Sequence, residues 1–203
     1  MLKYFGKIDT NDVHVNFNPS ISSKYYFIRH VALNGIINNK NSITGKVLDF
    51  GCGLKPYKDL FSTTEYIGLD YYSEGHDHSN EQIDVFYDGK NIPFDDKSFN
   101  SVISTEVFEH VFDLDIALKE LNRILVNNGI ILITCPFVFP EHETPNDFAR
   151  YTQFALKHIF EQHGFKIIKY EKGGNTILTI AQLITIFISE KTSFLLSKNK
   201  IFH

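Results

Sequence analysis

Apolar residues occur along this chain in short runs separated by polar turns, and the runs have two different periods. Some are continuous over four to six residues, which is typical of strands in a sheet that is covered on both faces. The predicted strands are residues 46–50, 66–70, 102–105, 130–134 and 165–170. Glycine or an acidic residue follows several of them, as expected where a buried strand reaches a surface loop.

Other segments repeat apolar residues near the 3.6-residue period of a helix. The first runs from Ser22 until Asn38-Asn39 interrupts the pattern, and the second begins after Asp113 and ends at Asn128-Gly129. A third covers residues 152–163. Alternation of strands and helices predicts a doubly wound α/β fold with a mostly parallel sheet.

Composition and charge narrow the class of protein. With 203 residues, 43% of them apolar, the chain is long enough to bury one core, and we expect a single domain over 1–203. Because 20 basic residues face 24 acidic ones, giving a net charge of -4, no nucleic-acid partner is expected. Cys52 and Cys135 lie far apart, so neither a disulfide framework nor a zinc site is indicated, and a cytoplasmic location fits.

The turn after the first strand carries the first chemical signal. Gly51 and Gly53 would let backbone N–H groups approach a ligand, and Asp70 follows Gly51 at nearly the spacing of an acid that binds ribose hydroxyls. Pro56 replaces the third glycine of a dinucleotide fingerprint, which counts against NAD. Asp49 suits a ligand that carries an ammonium group, and S-adenosylmethionine combines an ammonium group with a ribose and an adenine.

Five segments in order resemble the motifs of class I S-adenosylmethionine-dependent methyltransferases. They are residues 47–53 (VLDFGCG), 67–70 (IGLD), 88–99 (DGKNIPFDDKSF), 104–111 (STEVFEHV) and 121–129 (LNRILVNNG). The resemblance implies a Rossmann-like fold, methyltransferase activity and S-adenosylmethionine as the cofactor, with Asp70 on the ribose and Asp88 on the adenine. The implied cofactor-binding residues are Asp49, Gly51, Cys52, Gly53, Asp70, Tyr71, Asp88, Gly89 and Glu106. The core would cover 46–172, preceded by an arm and a lid helix over 1–45 that brings Arg29 to the cofactor.

The polar loop after the fifth motif is similar to an H-x-x-P-x-D-x-x-R-[YF]-T segment found in a bacterial branch of this family. Here it reads HETPNDFARYT over residues 142–152. The resemblance implies a small-molecule or glycan acceptor, with His142 as the base that removes its proton and His110 as a second candidate. Asp147 and Arg150 could instead pair and brace the loop. No metal-ligand spacing is found, His76-x-His78 included, so transfer independent of metal is expected.

Two other functions remain open at this stage. One is a non-catalytic S-adenosylmethionine-binding module, which an obstructed channel to the methyl group would favour. The other is an NAD-dependent oxidoreductase, against which Pro56 and the lack of a Y-x-x-x-K sequence after the fourth motif both count.

The last predicted element is an apolar helix within residues 173–203, reaching roughly 20 Å and therefore too short for a hydrocarbon core of about 30 Å. No seventh, antiparallel strand of the kind found in the family is recognised after Tyr170. The apolar segment is therefore expected first at the sheet edge or in a homodimer interface. Peripheral contact with a membrane surface is the second expectation.

Overall fold

A computed structural model describes residues 13–72 and 79–199. Its strands are β1 (Lys46–Phe50), β2 (Glu65–Tyr71), β3 (Val85–Tyr87), β4 (Phe99–Thr105) and β5 (Leu125–Thr134). Its helices are α1 (Tyr26–Asn39), α2 (Leu114–Ile124), α3 (Gln153–Gln162) and α4 (Thr176–Asn199). The five strands form one sheet in the order β3-β2-β1-β4-β5, and every neighbouring pair is parallel. The predicted doubly wound α/β architecture is confirmed.

Helices cover both faces of this sheet, which is why apolar residues on both faces of β1 and β4 are buried. On one face, Leu33 and Ile36 of α1 pack with residues of β1 and β4. On the other face, α2 buries Leu118 and Leu121, and α3 contributes Phe160. The carboxyl ends of all five strands therefore meet at one edge between the two helical layers, and the loops at this edge carry the candidate site.

Two predicted boundaries differ from the structure. Helix α2 ends at Ile124, four residues before the predicted Asn128-Gly129 stop, because Leu125 already pairs with Phe99 in the sheet. Asn128 instead has a φ of 63° at the point where the register of β5 shifts. The residues at 165–170 form no strand, since all of them except Phe165 are exposed and none enters the five-stranded sheet.

Helix α4 lies on α1. Gln182, 5% exposed, accepts the backbone N–H of Ile28 through Oε1 at 3.0 Å and donates through Nε2 to the Lys24 carbonyl at 2.5 Å. These bonds satisfy polar backbone groups at the start of α1, where a helix leaves its first N–H groups without partners. The segment thus covers a helix, whereas the sequence placed it first at the sheet edge or in a dimer.

Helix α4 is longer than the sequence analysis predicted. Its 24 residues reach about 36 Å, against the roughly 20 Å expected. Over the residues that the structure describes, no helix combines the length and the apolar character needed to cross a membrane. The predicted arm at 1–12 and the His76-x-His78 pair lie outside the described residues.

Candidate active site

The order of strands reverses between β1 and β4, and the loops after these two strands touch each other. Gly51 ends β1 with a φ of 74°, and a Cβ placed on it would lie 2.4 Å from Val107 in the loop after β4. Glycine is therefore required at this position for space and for conformation. A crevice outside the carboxyl ends of two such strands is where open α/β sheets bind their ligands.

Asp70 closes the turn beneath that crevice. Its Oδ2 accepts the N–H of Gly53 at 2.9 Å, and its Oδ1 accepts the N–H of Tyr71 at 2.8 Å. Among the described residues, a Cβ on Gly53 would meet Glu81 Oε1 alone, at 3.9 Å, so these residues leave space beside its Cα. Cys52 is buried below the turn against Gly68, where a ligand cannot reach its thiol directly.

Asp49 is a buried acid on the α1 side of β1. It is 4% exposed, and the Tyr66 hydroxyl donates to its Oδ2 at 2.7 Å. Burial raises the pKa of Asp49 to about 7, which the Tyr66 hydrogen bond opposes and the nearby charge of Asp70 reinforces. This carboxyl group would be stabilised in its charged form by a cationic group placed beside it.

The predicted adenine-binding residues lie after β3, next to the end of β2. The Asp88 Oδ1 atom accepts the N–H groups of Lys90 and Asn91, both at 2.8 Å, and these bonds hold the pKa of Asp88 below its usual value. Gly89 has a φ of 80°, and a Cβ there would lie 3.0 Å from the Tyr71 ring. Asp70, Tyr71, Asp88 and Gly89 therefore line one continuous surface.

Helix α1 reaches the other end of the crevice. Arg29 stacks on the ring of Phe17, 4.0 Å from its centroid, and its charge acts on both Tyr57 and Glu106. Glu106 follows β4 with a φ of 55°, and burial raises its pKa against the opposing charges of Arg29 and His110. The predicted lid helix thus brings the Arg29 cation close to Glu106, at the carboxyl end of β4.

The two predicted catalytic histidines meet in space although 32 residues separate them. The Nε2 atoms of His110 and His142 are 3.1 Å apart, and their rings form a T-shaped contact. Phe139 packs edge-on against His142 and also meets Tyr25 just before α1. The loop after β5 therefore closes over the carboxyl edge of β4, as the resemblance implied.

Glu109 lies beneath the histidine pair, and the sequence analysis did not identify it as a site residue. Its side chain is fully buried, its Oε1 is 3.8 Å from His110 Nε2, and that oxygen has no hydrogen-bond partner among the residues that the structure describes. Burial raises the pKa of Glu109 to about 8, and the neighbouring Glu106 adds to the shift. Its place directly before His110 was the one sequence signal for it.

The bracing role considered for Asp147 and Arg150 is what the geometry shows. Arg150 Nη1 and Nη2 donate to the two Asp147 oxygens at 2.6 and 2.8 Å, and this pairing holds the pKa of Asp147 well below its ordinary range. Asp147 Oδ2 also accepts the backbone N–H of His142 at 3.0 Å. The ion pair therefore fixes the position of His142.

Comparison with known proteins decides the family. A family model described as a methyltransferase domain matches residues 27–170, which include β1 to β5 and the loop that carries His142. The chain belongs to this methyltransferase family. The methyl donor of the family is S-adenosylmethionine, so the predicted activity and cofactor are confirmed. No curated protein matches the methyltransferase.

Solved structures agree with this methyltransferase in fold. YcgJ from Bacillus subtilis is 21% identical with a TM-score of 0.52, over 66% of this chain and 68% of its own. A methyltransferase of Haloferax volcanii, in complex with the activator Trm112, is 23% identical with a TM-score of 0.51 over 70% and 68%. A Thermotoga maritima protein titled a possible histamine N-methyltransferase is 17% identical with a TM-score of 0.52 over 71% and 76%. These likenesses confirm the Rossmann-like fold.

Proposed function

We propose that this methyltransferase transfers the methyl group of S-adenosylmethionine to a hydroxyl group of a small-molecule or glycan acceptor. The observation that carries the proposal is the meeting of His110 and His142 at the carboxyl edge of β4, with their Nε2 atoms 3.1 Å apart. A hydroxyl acceptor must lose its proton, and imidazole is a suitable group for that step. In this proposal the chain forms one domain over 1–203, and its cofactor-binding core covers 46–172.

The residues along the crevice fit the three parts of the cofactor. Asp70 would hold the ribose hydroxyls and Asp88 the adenine amino group, while Tyr71 and Gly89 would face the nucleoside. The space beside Gly53 would take the amino-acid part, whereas the N–H groups of Gly51 and Cys52 already donate to the Leu69 carbonyl at 2.9 and 3.2 Å. Asp49 would attract the ammonium group, and Glu106 would border the same end of the crevice.

When bound, the cofactor supplies a methyl group on a positively charged sulfur, which is already activated for displacement. The protein's task is to align an acceptor oxygen opposite the S–C bond. With the cofactor bound, an acceptor hydroxyl held beside His142 would give its proton to that imidazole as its oxygen takes the methyl group, and the sulfur would keep the electron pair of the S–C bond. Asp147 and Arg150 position that ring and do not touch the reacting atoms.

The surface beside the histidine pair favours an organic acceptor. Phe137 and Phe148 of the loop are exposed, as is Phe112, whose ring meets that of Phe148. Exposed rings bind the apolar faces of sugars and of small organic molecules well. The net charge of -4 gives no support to a nucleic-acid acceptor.

A homodimer formed through α4 is part of this proposal. The face of α4 turned away from α1 exposes large apolar side chains, and such a continuous patch is typical of a contact surface. They are Ile177, Ile180, Ile184, Phe187 and Ile188. The free thiols of Cys52 and Cys135 support a reducing, cytoplasmic location.

Titration calorimetry tests the cofactor assignment. Asp70→Asn removes the charge and keeps the volume, and it should weaken S-adenosylmethionine binding by roughly 2 to 4 kcal/mol through lost charge-assisted bonds to the ribose. Asp59→Asn, at an exposed position in the turn after Tyr57, is the control and should bind as the parent does. Parental affinity in Asp70→Asn would remove the ribose assignment.

The acceptor class is tested with isotope-labelled methyl donor. The protein is incubated with hydroxyl-bearing glycans and small molecules, and labelled products are identified by mass spectrometry. His142→Ala should lower kcat while leaving cofactor affinity nearly unchanged, and His158→Ala on the exposed face of α3 should change neither. Label that appears on nitrogen or carbon acceptors alone would contradict the hydroxyl proposal.

A further inference from the structure

The contact between His110 and His142 needs a positive charge between the two rings. His110 Nδ1 lies 2.6 Å from the Asn146 carbonyl oxygen, which can only accept, so this nitrogen carries a proton. In a neutral ring the Nε2 atom then has a free lone pair. That lone pair faces His142 Nε2 at 3.1 Å.

The same reasoning holds for His142. Its Nδ1 lies 3.1 Å from the Pro140 carbonyl oxygen and 3.3 Å from Arg150 Nη2. Both protons of that Nη2 are already directed at Asp147 Oδ2 and Pro140 O, at 2.8 and 3.2 Å, so His142 Nδ1 acts as the donor to Pro140. Two Nε2 lone pairs are therefore brought within 3.1 Å of each other, which is unfavourable unless a proton or a metal cation is shared by the two nitrogens.

Glu109 supplies an independent observation at the same point. Its side chain is fully buried, and its Oε1, which lacks a hydrogen-bond partner within 13–72 and 79–199, lies 3.8 Å from His110 Nε2. A buried carboxylate oxygen without a partner costs free energy that a bound cation would recover. The ligand atoms of all three side chains lie within 4.8 Å of one another.

We propose that Glu109, His110 and His142 bind a divalent transition-metal ion such as Zn²⁺. Two imidazole nitrogens and one carboxylate oxygen form a donor set that zinc uses in catalytic sites, with one position left for water or substrate. Zn–N bonds of 2.0–2.1 Å at tetrahedral angles place two nitrogens about 3.3 Å apart, close to the 3.1 Å seen here. Imidazole donors disfavour Mg²⁺ and Ca²⁺, which prefer oxygen.

The residues around the three ligands are arranged as in a metal site. A histidine that ligates through Nε2 usually donates its Nδ1–H to a carbonyl or a carboxylate, and both rings do so here. The backbone carbonyl of Glu109 accepts the N–H groups of Phe148 and Ala149 at 2.8 and 3.2 Å, which ties the two ligand-bearing segments together. Glu143 Oε2, 3.9 Å from His110 Nε2, borders the open side.

This inference deepens the proposed function and rests on it only for the role of the ion. The open coordination position would take the acceptor oxygen and make its proton easier to lose. His142 would then be a ligand in place of the base role proposed above, and the proton would pass to Glu143, whose carboxylate borders the open side. It also reverses the metal-independent transfer expected from the sequence. The spacing rule could not detect the site because its ligands come from two separate segments.

The test uses the full chain without a purification tag, freed of metal by a chelator that is then dialysed away. Zn²⁺ binding is measured by calorimetry, and the visible absorption of added Co²⁺ reports the coordination geometry. We expect about one ion per chain, with His142→Asn and Glu109→Gln each weakening Zn²⁺ binding by roughly 100-fold. His158→Asn, on the exposed face of α3, is the matched control and should bind as the parent does.

Equal Zn²⁺ affinity in the parent, His142→Asn and Glu109→Gln would overturn the inference. Absence of stoichiometric Zn²⁺ binding to the parent would also overturn it, and the two histidines would then share a proton. Circular dichroism of each variant separates loss of binding from loss of fold, and Glu109→Gln serves if His142→Asn does not fold. Cofactor titration of the metal-free protein keeps the two proposals separate. Cofactor binding without metal binding would refute only the metal site, whereas metal binding without cofactor binding would refute the proposed transfer.

Discussion

Asp49→Asn should stabilise the cofactor-free protein at neutral and alkaline pH. The Asp49 carboxyl group is 4% exposed on β1, and its Oδ2 accepts the Tyr66 hydroxyl at 2.7 Å. Asparagine has nearly the same shape and keeps an oxygen that can accept that hydroxyl. The substitution therefore removes the charge with little change in packing.

The magnitude follows from the perturbed ionisation. Burial raises the pKa of Asp49 from its ordinary value of 3.8 to about 7, so the folded state holds the proton between about pH 4 and pH 7 while the unfolded state releases it. Stability conferred on the parent by this proton is present at low pH and is lost as pH rises through that window. At about 1.4 kcal/mol for each pKa unit, ionised Asp49 costs the folded state roughly 4 kcal/mol.

Urea unfolding of the parent and of Asp49→Asn at pH 4, 6 and 8 would measure this effect. The two proteins should differ little at about pH 4, and the advantage of the variant should grow towards a few kcal/mol by about pH 8. Asp59→Asn, at an exposed position nearby, should follow the parent at every pH. A stability difference that is constant with pH would refute the assignment of the effect to Asp49 ionisation.

Three further predictions test other parts of the structure. Gly51→Ala should destabilise the protein by about 1–3 kcal/mol in urea unfolding, because the new Cβ would collide with Val107 and because residue 51 has a φ of 74°. The control Gly35→Ala, in the middle of α1 with open space beside it, should be neutral or stabilising. Gln182→Met should cost roughly 1–3 kcal/mol, measured in the same way, by leaving two backbone groups at the start of α1 without partners, and an unchanged midpoint would contradict that role. Ile184→Glu should convert the proposed dimer to monomer in light scattering, and identical masses for parent and variant would refute a dimer through this face.

Local pattern by itself located β1, β2, β4, β5 and the glycine turn after β1, but it missed β3 and predicted a strand at 165–170 that does not form. β1 and β4 are continuous apolar runs, and a turn that needs glycine at 51 follows the first of them, so both features are written in a few adjacent residues. Asp70 could be placed from its spacing after Gly51, whereas Asp88 was implied only by the resemblance, because the strand before it was not predicted. The resemblance to methyltransferases rested on these turns.

Tertiary structure decided what depends on contact between distant segments. Pairing of Leu125 with Phe99 ended α2 early, and residues 165–170 formed no strand because they found no partner in the sheet. The cluster of Glu109, His110 and His142 exists only because the loop after β5 folds back over β4. Burial of Glu109 and its closeness to the two histidines determine the electrostatics of this cluster, and neither can be read from the spacing of residues in the sequence.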